Sequence, residues 1–170
     1  MIENEVKFVI RNEIGADYFI EHCGQGVPIH QGYLPGKARI RSKSFEGGLK
    51  FFFTYKLPVK DVVFEIEKEI TEHEFDVLWP HTTDRLNKLR FMLEVGDVHW
   101  DIDLFYDNDG DRYFSLAEAE MPEDMLYPAD IPAFLKETIR YAVPRNKTKD
   151  YSSKNLSSPK YAKELLSKLK

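Results

Sequence analysis

Charged residues recur at every second position in six segments of this 170-residue chain. Glu3, Glu5 and Lys7 share one parity, as do Arg39, Arg41 and Lys43, and Glu65, Glu67 and Glu69. The same holds for Lys88 with Arg90, Asp101 with Asp103, and Glu118 with Glu120, while Lys56 ends the run FFFTYK. Alternate side chains of a β-strand share a face, so each segment as a strand presents a wholly charged face. The other parity holds Val6, Phe8, Ala38, Ile40, Phe64, Ile66, Leu89, Phe91, Ile102, Leu104, Ala117 and Ala119.

A sheet with one wet face and one packed face accounts for any single strand of this kind. The charges, however, are sorted in blocks, acid with acid and base with base, whereas a solvated sheet mixes signs so that cross-strand pairs attract. Eight antiparallel strands can also close into a barrel, which removes exposed edges and encloses a ligand. A lumen lined by carboxylates on some strands and by Arg and Lys on others is too costly to leave empty and dry. A phosphate chain carrying Mg²⁺ or Mn²⁺ fits it. Carboxylates and phosphate oxygens take the hard cation, and Arg and Lys neutralise the phosphates.

The elements that must carry these residues follow from periodicity. Period-two patterns predict eight strands, at Glu3 to Ile10, Ile29 to Tyr33, Lys37 to Ser44, Leu49 to Leu57, Val62 to Ile70, Asn87 to Val95, Val98 to Tyr106 and Tyr113 to Met121. Turn chemistry separates them at Pro35-Gly36, Gly47-Gly48, Gly96-Asp97 and Asn108-Asp109-Gly110. A short helix is predicted over Ala16 to Cys23, ended by Gly24. A Thr71/Glu74 capping box starts a second, through Phe75 to Trp79, which Pro80 ends. Asp130 can cap a third through Phe134, Leu135, Ile139 and Tyr141, and Ser158-Pro159 starts a fourth through Tyr161, Leu165, Leu166 and Leu169. Pro144 to Ser158 reads as an ordered crossing segment or a mobile tail, and the last helix is free to plug one end of the barrel or not. The expected fold is therefore α+β: an eight-stranded antiparallel closed β-barrel flanked by several helices, a single domain over residues 1–170 with a helical segment from about 130 to 170.

Composition bounds the setting. No stretch approaches the roughly 20 apolar residues of a membrane span, and no basic-then-apolar leader opens the chain, so a cytoplasmic location is expected. A net charge of −5 argues against a nucleic-acid groove. The lone Cys23 can form neither an internal disulfide nor a thiolate zinc site, and reads as a packing residue. A homodimer is compatible with the sequence.

The motif order resembles the CYTH domains, or triphosphate tunnel metalloenzymes. ENEVKF is similar to their Glu-x-Glu-x-Lys opening. The likeness continues through QGYL, ARIR, FTYK, FEIEKEI, EFDVLWP, NKLRF, WDIDLF and LAEAEM, with KTKDYSSKNLS similar to the closing segment of short bacterial inorganic triphosphatases. The resemblance implies an eight-stranded barrel around a triphosphate, with Mg²⁺ or Mn²⁺ as cofactor. It implies Glu3, Glu5, Glu65, Glu67, Asp103, Glu118 and Glu120 for metal and water, and Lys7, Arg39, Arg41, Lys56, Lys88 and Arg90 for phosphate. Tyr33, Tyr151 and Lys154 fall at the tunnel mouth, and Glu5, Lys7, Lys56, Glu65 and Glu67 carry the catalysis. One position departs: where members carry an Arg two residues before the Glu-x-Glu strand's first acid, this chain has Val63.

The implied activity is metal-dependent hydrolysis of a triphosphate, inorganic or organic. Class IV adenylate cyclases and thiamine triphosphatases share the resemblance, and a module that binds a triphosphate without turnover is the alternative outside catalysis. The run DNDGDRYFSLAE imitates a calcium loop, but its sixth position is Arg112 where such a loop needs Gly, so a hairpin tip is expected. His22, His30, His73, His81 and His99 lack paired metal spacing, although His30 precedes QGYL and could approach a ligand. Trp79 and Trp100 are expected to pack outside the barrel.

Overall fold

In a computed structural model of the chain, residues 3–60 and 62–169 are described. Ile2, on the apolar parity of the first segment, lies outside them. Nine strands form one antiparallel sheet. They are β1 (Glu5–Ile10), β2 (Val27–Tyr33), β3 (Ala38–Phe45), β4 (Gly48–Val59), β5 (Val62–Ile70), β6 (Thr83–Val95), β7 (Val98–Tyr106), β8 (Arg112–Glu120) and β9 (Ile139–Val143), in the order β5-β4-β3-β2-β6-β7-β8-β1-β9. Helices α1 (Ala16–Cys23), α2 (Glu72–Leu78), α3 (Ala133–Lys136), α4 (Ser153–Leu156) and α5 (Pro159–Ser167) decorate it.

The eight-stranded closed barrel is not what forms. The sheet has nine strands and stays open, with β5 and β9 as its edges. The cause lies in β1, whose second edge is taken by β9 in the register Lys7↔Val143 to Ile10↔Ile139, so it is unavailable to β5. β9 itself was hidden under a helical reading of Asp130 to Tyr141. Only Ala133–Lys136 is helical, and beyond Thr138 the alternation Ile139, Tyr141, Val143 becomes strand.

The open sheet is nevertheless curled. β5 and β1 stand seven strand steps apart in the sheet order, about 33 Å if flat. Yet the Glu3 N–H donates to the Val63 carbonyl at 3.2 Å, and Lys56 of β4 pairs with Glu3. Among the described residues one backbone bond, not a ladder, bridges the gap.

The convex side of β1, β6, β7 and β8 buries Val6, Phe8, Ile10, Phe91, Trp100, Ile102, Leu104, Ala117 and Ala119, covered by Phe19 of α1 and Leu135 of α3. Trp100 packs on Phe8 at 5.7 Å and is fully buried. Helix α1 ends at Gly24 (φ 79°), a left-handed residue that returns its N–H to the Ile20 carbonyl. Helix α2 opens on the predicted capping box, with Thr71 and Glu74 each bonding the other's backbone N–H. The sequence DNDGDR is a hairpin tip, where Asp107 Oδ1 accepts from the N–H groups of Asp109 and Asp111 at 3.0 and 2.9 Å.

The concave face changes character along its strands. Val9, Leu86, Phe105 and Leu116 share the parity of Lys7, Lys88, Asp103 and Glu118, and with Tyr151, Leu156 and Ala162 they form a second apolar cluster. A 3-10 turn (Arg145–Tyr151), then α4 and α5, close this end of the concavity. Among the described residues no helix is long and apolar enough to cross a membrane.

Candidate functional site

All six charged segments meet on the concave face, because strand register stacks them. Lys7 faces Glu118 and Glu5 faces Glu120 across β1–β8; Arg90 faces Asp103 across β6–β7; Lys56 faces Glu65 and Thr54 faces Glu67 across β4–β5. Lys7, Arg90 and Lys56 thus each find the opposite sign on a neighbouring strand, whereas Glu5 meets Glu120 and Asp101 meets Glu118, acid on acid.

Three knots result. Lys7 Nζ lies 3.0 Å from Glu5 and 3.6 Å from Glu118, and donates to the Tyr151 carbonyl at 3.4 Å. Arg90 forks onto Asp103 through Nε (2.7 Å) and a terminal nitrogen (2.6 Å) and also pairs with Asp101; Lys88 Nζ reaches the same Asp103 at 2.6 Å. On the far wall Arg41 pairs with Glu67, which also takes the Thr54 hydroxyl at 3.0 Å and lies 3.6 Å from Lys43; Arg39 and Lys56 each lie 3.3 Å from Glu65.

The knots are not electrically balanced. Burial, then the neighbouring Glu118, raises the Glu5 carboxyl to about 7 against the pull of Lys7. Burial also raises Glu120, with Asp101, Glu65 and Glu3 adding to it. On the opposite wall burial, then Arg39, lowers the Arg41 guanidinium to about 10, and burial with Arg41 lowers Lys43. Burial and Arg90 lower Lys88 to about 8 despite Asp103. Burial opposes the charge on Asp103, but Arg90 and Lys88 overcome it and hold the carboxyl far below the usual range. One wall therefore carries surplus carboxylate and the other surplus cation.

Two buried donors sharpen this. Among the described residues, Arg39 Nε and Arg41 Nε have no hydrogen-bond partner, although each arginine makes an ion pair through a terminal nitrogen. An unpaired buried guanidinium N–H is costly, and an anion would satisfy it.

Among the described residues no group of three His, Cys, Asp or Glu side chains stands close enough to hold a divalent cation. The raised Glu5 beside Glu118 nonetheless fits Mg²⁺, which takes one or two carboxylates and completes its shell with water and substrate phosphate.

The structure thus brings Glu3, Glu5, Lys7, Arg39, Arg41, Lys56, Glu65, Glu67, Lys88, Arg90, Asp103, Glu118 and Glu120 to one face. Tyr151 differs: its ring is buried in the second cluster beside Phe114, and only its carbonyl reaches the charged face, through Lys7. Lys154 Nζ lies over the Tyr33 ring at 5.7 Å, at the plugged end. His30 stands on the other face against Trp79, at 4.3 Å. Two residues not expected at the site from sequence also join: Gln31, fully buried and bonded to the Tyr33 hydroxyl at 2.8 Å, and His99. His99 bridges Glu94 and Asp101 and is raised to about 9, first by its hydrogen bond to Asp101. Its signal was parity, two residues before Asp101.

Among solved structures, the hypothetical protein NE1496 is 25% identical, with 91% of this chain and 97% of that one covered at a TM-score of 0.53. A structure named as a "putative adenylate cyclase" from Bacillus halodurans is 16% identical, with 72% and 82% covered at a TM-score of 0.50. These likenesses show a shared fold. No family model and no curated protein matches the chain.

Proposed function

We propose that the concave face binds the triphosphate of a small molecule together with Mg²⁺ or Mn²⁺ and hydrolyses a terminal phosphoanhydride. The observation that carries this reading is the pair of unpartnered buried guanidinium donors on Arg39 and Arg41, facing a wall whose Glu5 carboxyl is held at about 7. Arg39, Arg41, Lys56, Lys88, Arg90 and Lys7 would take the phosphates.

Glu5 and Glu118 would hold the cation, with Glu3, Glu65, Glu67, Asp103 and Glu120 within the same carboxylate set. When bound, the cation neutralises phosphate charge and favours attack at phosphorus. Glu67 and Asp103 are engaged by Arg41 and Lys88. Binding of phosphate would draw Arg41, Lys88 and Arg90 onto the ligand and release those carboxylates to orient water or metal. Arg and Lys then stabilise the charge that develops on the leaving phosphate.

The second reading is nucleotide cyclisation, supported by the name of the Bacillus halodurans neighbour alone. One assay separates the two. The protein is incubated with tripolyphosphate, ATP or thiamine triphosphate and Mg²⁺ or Mn²⁺, and phosphate, pyrophosphate and cyclic AMP are followed. Phosphate release from tripolyphosphate is the expected result. Cyclic AMP with pyrophosphate would replace this reading by the second, and tight binding without product would reduce it to a binding module.

A further inference from the structure

Gln31 is fully buried on the concave face, yet only half of its amide is engaged. Its Nε2 donates to the Tyr33 hydroxyl at 2.8 Å, two residues along β2, which fixes the amide plane. Among the described residues its Oε1 has no hydrogen-bond partner. A buried carbonyl oxygen without a donor is as costly as the unpaired N–H groups of Arg39 and Arg41.

Strand register identifies the nearest donor. Gln31 lies directly opposite Leu86 of β6 on one side and Arg41 of β3 on the other. Side chains paired in this way share a face, with Cβ atoms about 5 Å apart. Leu86 has no donor to give, whereas Arg41 carries a fork of N–H groups. Two cations on the diagonals are held elsewhere: Lys43 lies over the Phe52 ring at 4.4 Å, and Lys88 is on Asp103 at 2.6 Å. Arg41 itself is turned away from Gln31, toward β4 and β5, with one terminal nitrogen on Glu67 and 3.4 Å from the Thr54 hydroxyl. An acceptor without a donor therefore stands across from a guanidinium with a donor to spare.

We infer that Gln31 is the positioning residue for Arg41 in the phosphate-bound protein. When phosphate draws the guanidinium off Glu67, Gln31 Oε1 accepts one of its terminal N–H groups and leaves the others, Nε among them, to the phosphate. The inference rests on the phosphate-binding reading of this face and adds which neighbour orients the arginine. A buried guanidinium that leaves Glu67 and Thr54 loses the acceptors on that side, and a replacement is needed. An amide oxygen supplies one without neutralising the cation, so the whole charge stays available to the phosphate. A carboxylate at the same place would compete with the ligand.

The test is calorimetry with tripolyphosphate on the full chain, without divalent metal, together with thermal melts of the same variants. Gln31→Leu is expected to weaken binding about ten-fold, as for loss of one hydrogen bond to a charged group. Without added ligand it should melt no lower than the wild type, because the unpaired oxygen leaves with the side chain. In an Arg41→Gln background the same substitution should change affinity by less than about two-fold, a non-additivity that a packing role for Gln31 does not produce. Gln31→Met, which also lacks the acceptor, repeats the comparison should Gln31→Leu fail to fold. Unchanged affinity in these Gln31 variants, or an equal loss with and without Arg41, overturns the inference and leaves the phosphate wall standing. A wild type that binds no tripolyphosphate overturns the phosphate reading, and this inference with it.

Discussion

Arg90 holds Asp103 with two parallel bonds, 2.7 and 2.6 Å, while Lys88 contacts the same carboxylate from the side at 2.6 Å. Asp103 is fully buried and Lys88 nearly so. Two cations share this carboxylate, and Arg90 has a second partner in Asp101, whereas Lys88 relies on Asp103.

Removing that carboxylate should leave the buried Lys88 without its ion-pair partner and Arg90 with Asp101 alone. Asp103→Asn is expected to cost about 3–5 kcal/mol in urea unfolding, the range for breaking one partner of a buried ion pair. Tripolyphosphate should recover part of the loss by replacing the missing anion. A cost below about 1 kcal/mol would show the knot to be wet and weakly coupled.

The Glu5 carboxyl, raised from 4.5 to about 7, makes an opposite prediction about pH. The folded state binds a proton here more tightly than the unfolded state, so this group favours folding at low pH and opposes it as pH rises from about 4.5 through about 7. Glu5→Gln should therefore stabilise the metal-free protein at pH 8 by up to about 3 kcal/mol, a gain absent at pH 4. Added Mg²⁺ should raise the melting temperature of the wild type more than that of the variant. A variant less stable than wild type at pH 8 without metal would refute the carboxylate surplus.

His99 runs the other way. Asp101 and Glu94 raise it from 6.5 to about 9, so its stabilising charge is fully present below about 6.5 and lost as pH rises through about 9. The ring is about a third exposed and Glu94 more so, and solvent screening reduces the contribution to about 1 kcal/mol. His99→Gln should be less stable than wild type at pH 6 by that amount and equal to it at pH 10, measured by thermal melts. A difference that persists at pH 10 would mean that the ring acts by packing.

Alternation was enough to place the charged face. Eight strands stand where period two put them, Val62–Ile70 and Val98–Tyr106 at the very bounds expected, and register then brought the acidic and basic blocks together. Closure was not legible, because it depends on what occupies the outer edge of β1. Ile139–Val143 is only five residues long and overlaps an apolar spacing that also suits a helix. The burial of the Tyr151 ring was not legible for a related reason: a motif gives order along the chain, whereas ring burial against Phe114 is set by how the last segment packs. The surplus of carboxylate at Glu5 and of cation at Arg41 lies beyond any one-dimensional pattern, since it depends on distances between strands remote in sequence.

Arg41 tests the phosphate wall directly. Its guanidinium is buried, paired with Glu67 through one terminal nitrogen, and leaves Nε without a partner among the described residues. Arg41→Gln should weaken tripolyphosphate binding in calorimetry without divalent metal by about 10–100-fold, the value of one strong charge-assisted contact. Arg41→Lys should recover only part of it, because a lysine cannot reproduce the fork. Unchanged affinity in both would remove Arg41 from the site.

Val63 offers the converse, a gain rather than a loss. It shares the parity of Glu65 and Glu67, so its side chain lies on the charged face, half-buried, where the bridge from Glu3 brings the two walls nearest. The CYTH resemblance implies an arginine at this position, and Val63→Arg would set a further cation beside the acidic pair Glu3 and Glu65 and within reach of a bound phosphate chain. Metal-free affinity for tripolyphosphate should rise about ten-fold, with a steeper dependence on salt because one more charge is engaged. The same variant should release product more slowly, so that under saturating substrate any turnover falls while affinity climbs. If Val63→Arg leaves affinity and salt dependence unchanged, the phosphate path does not run past this end of β5.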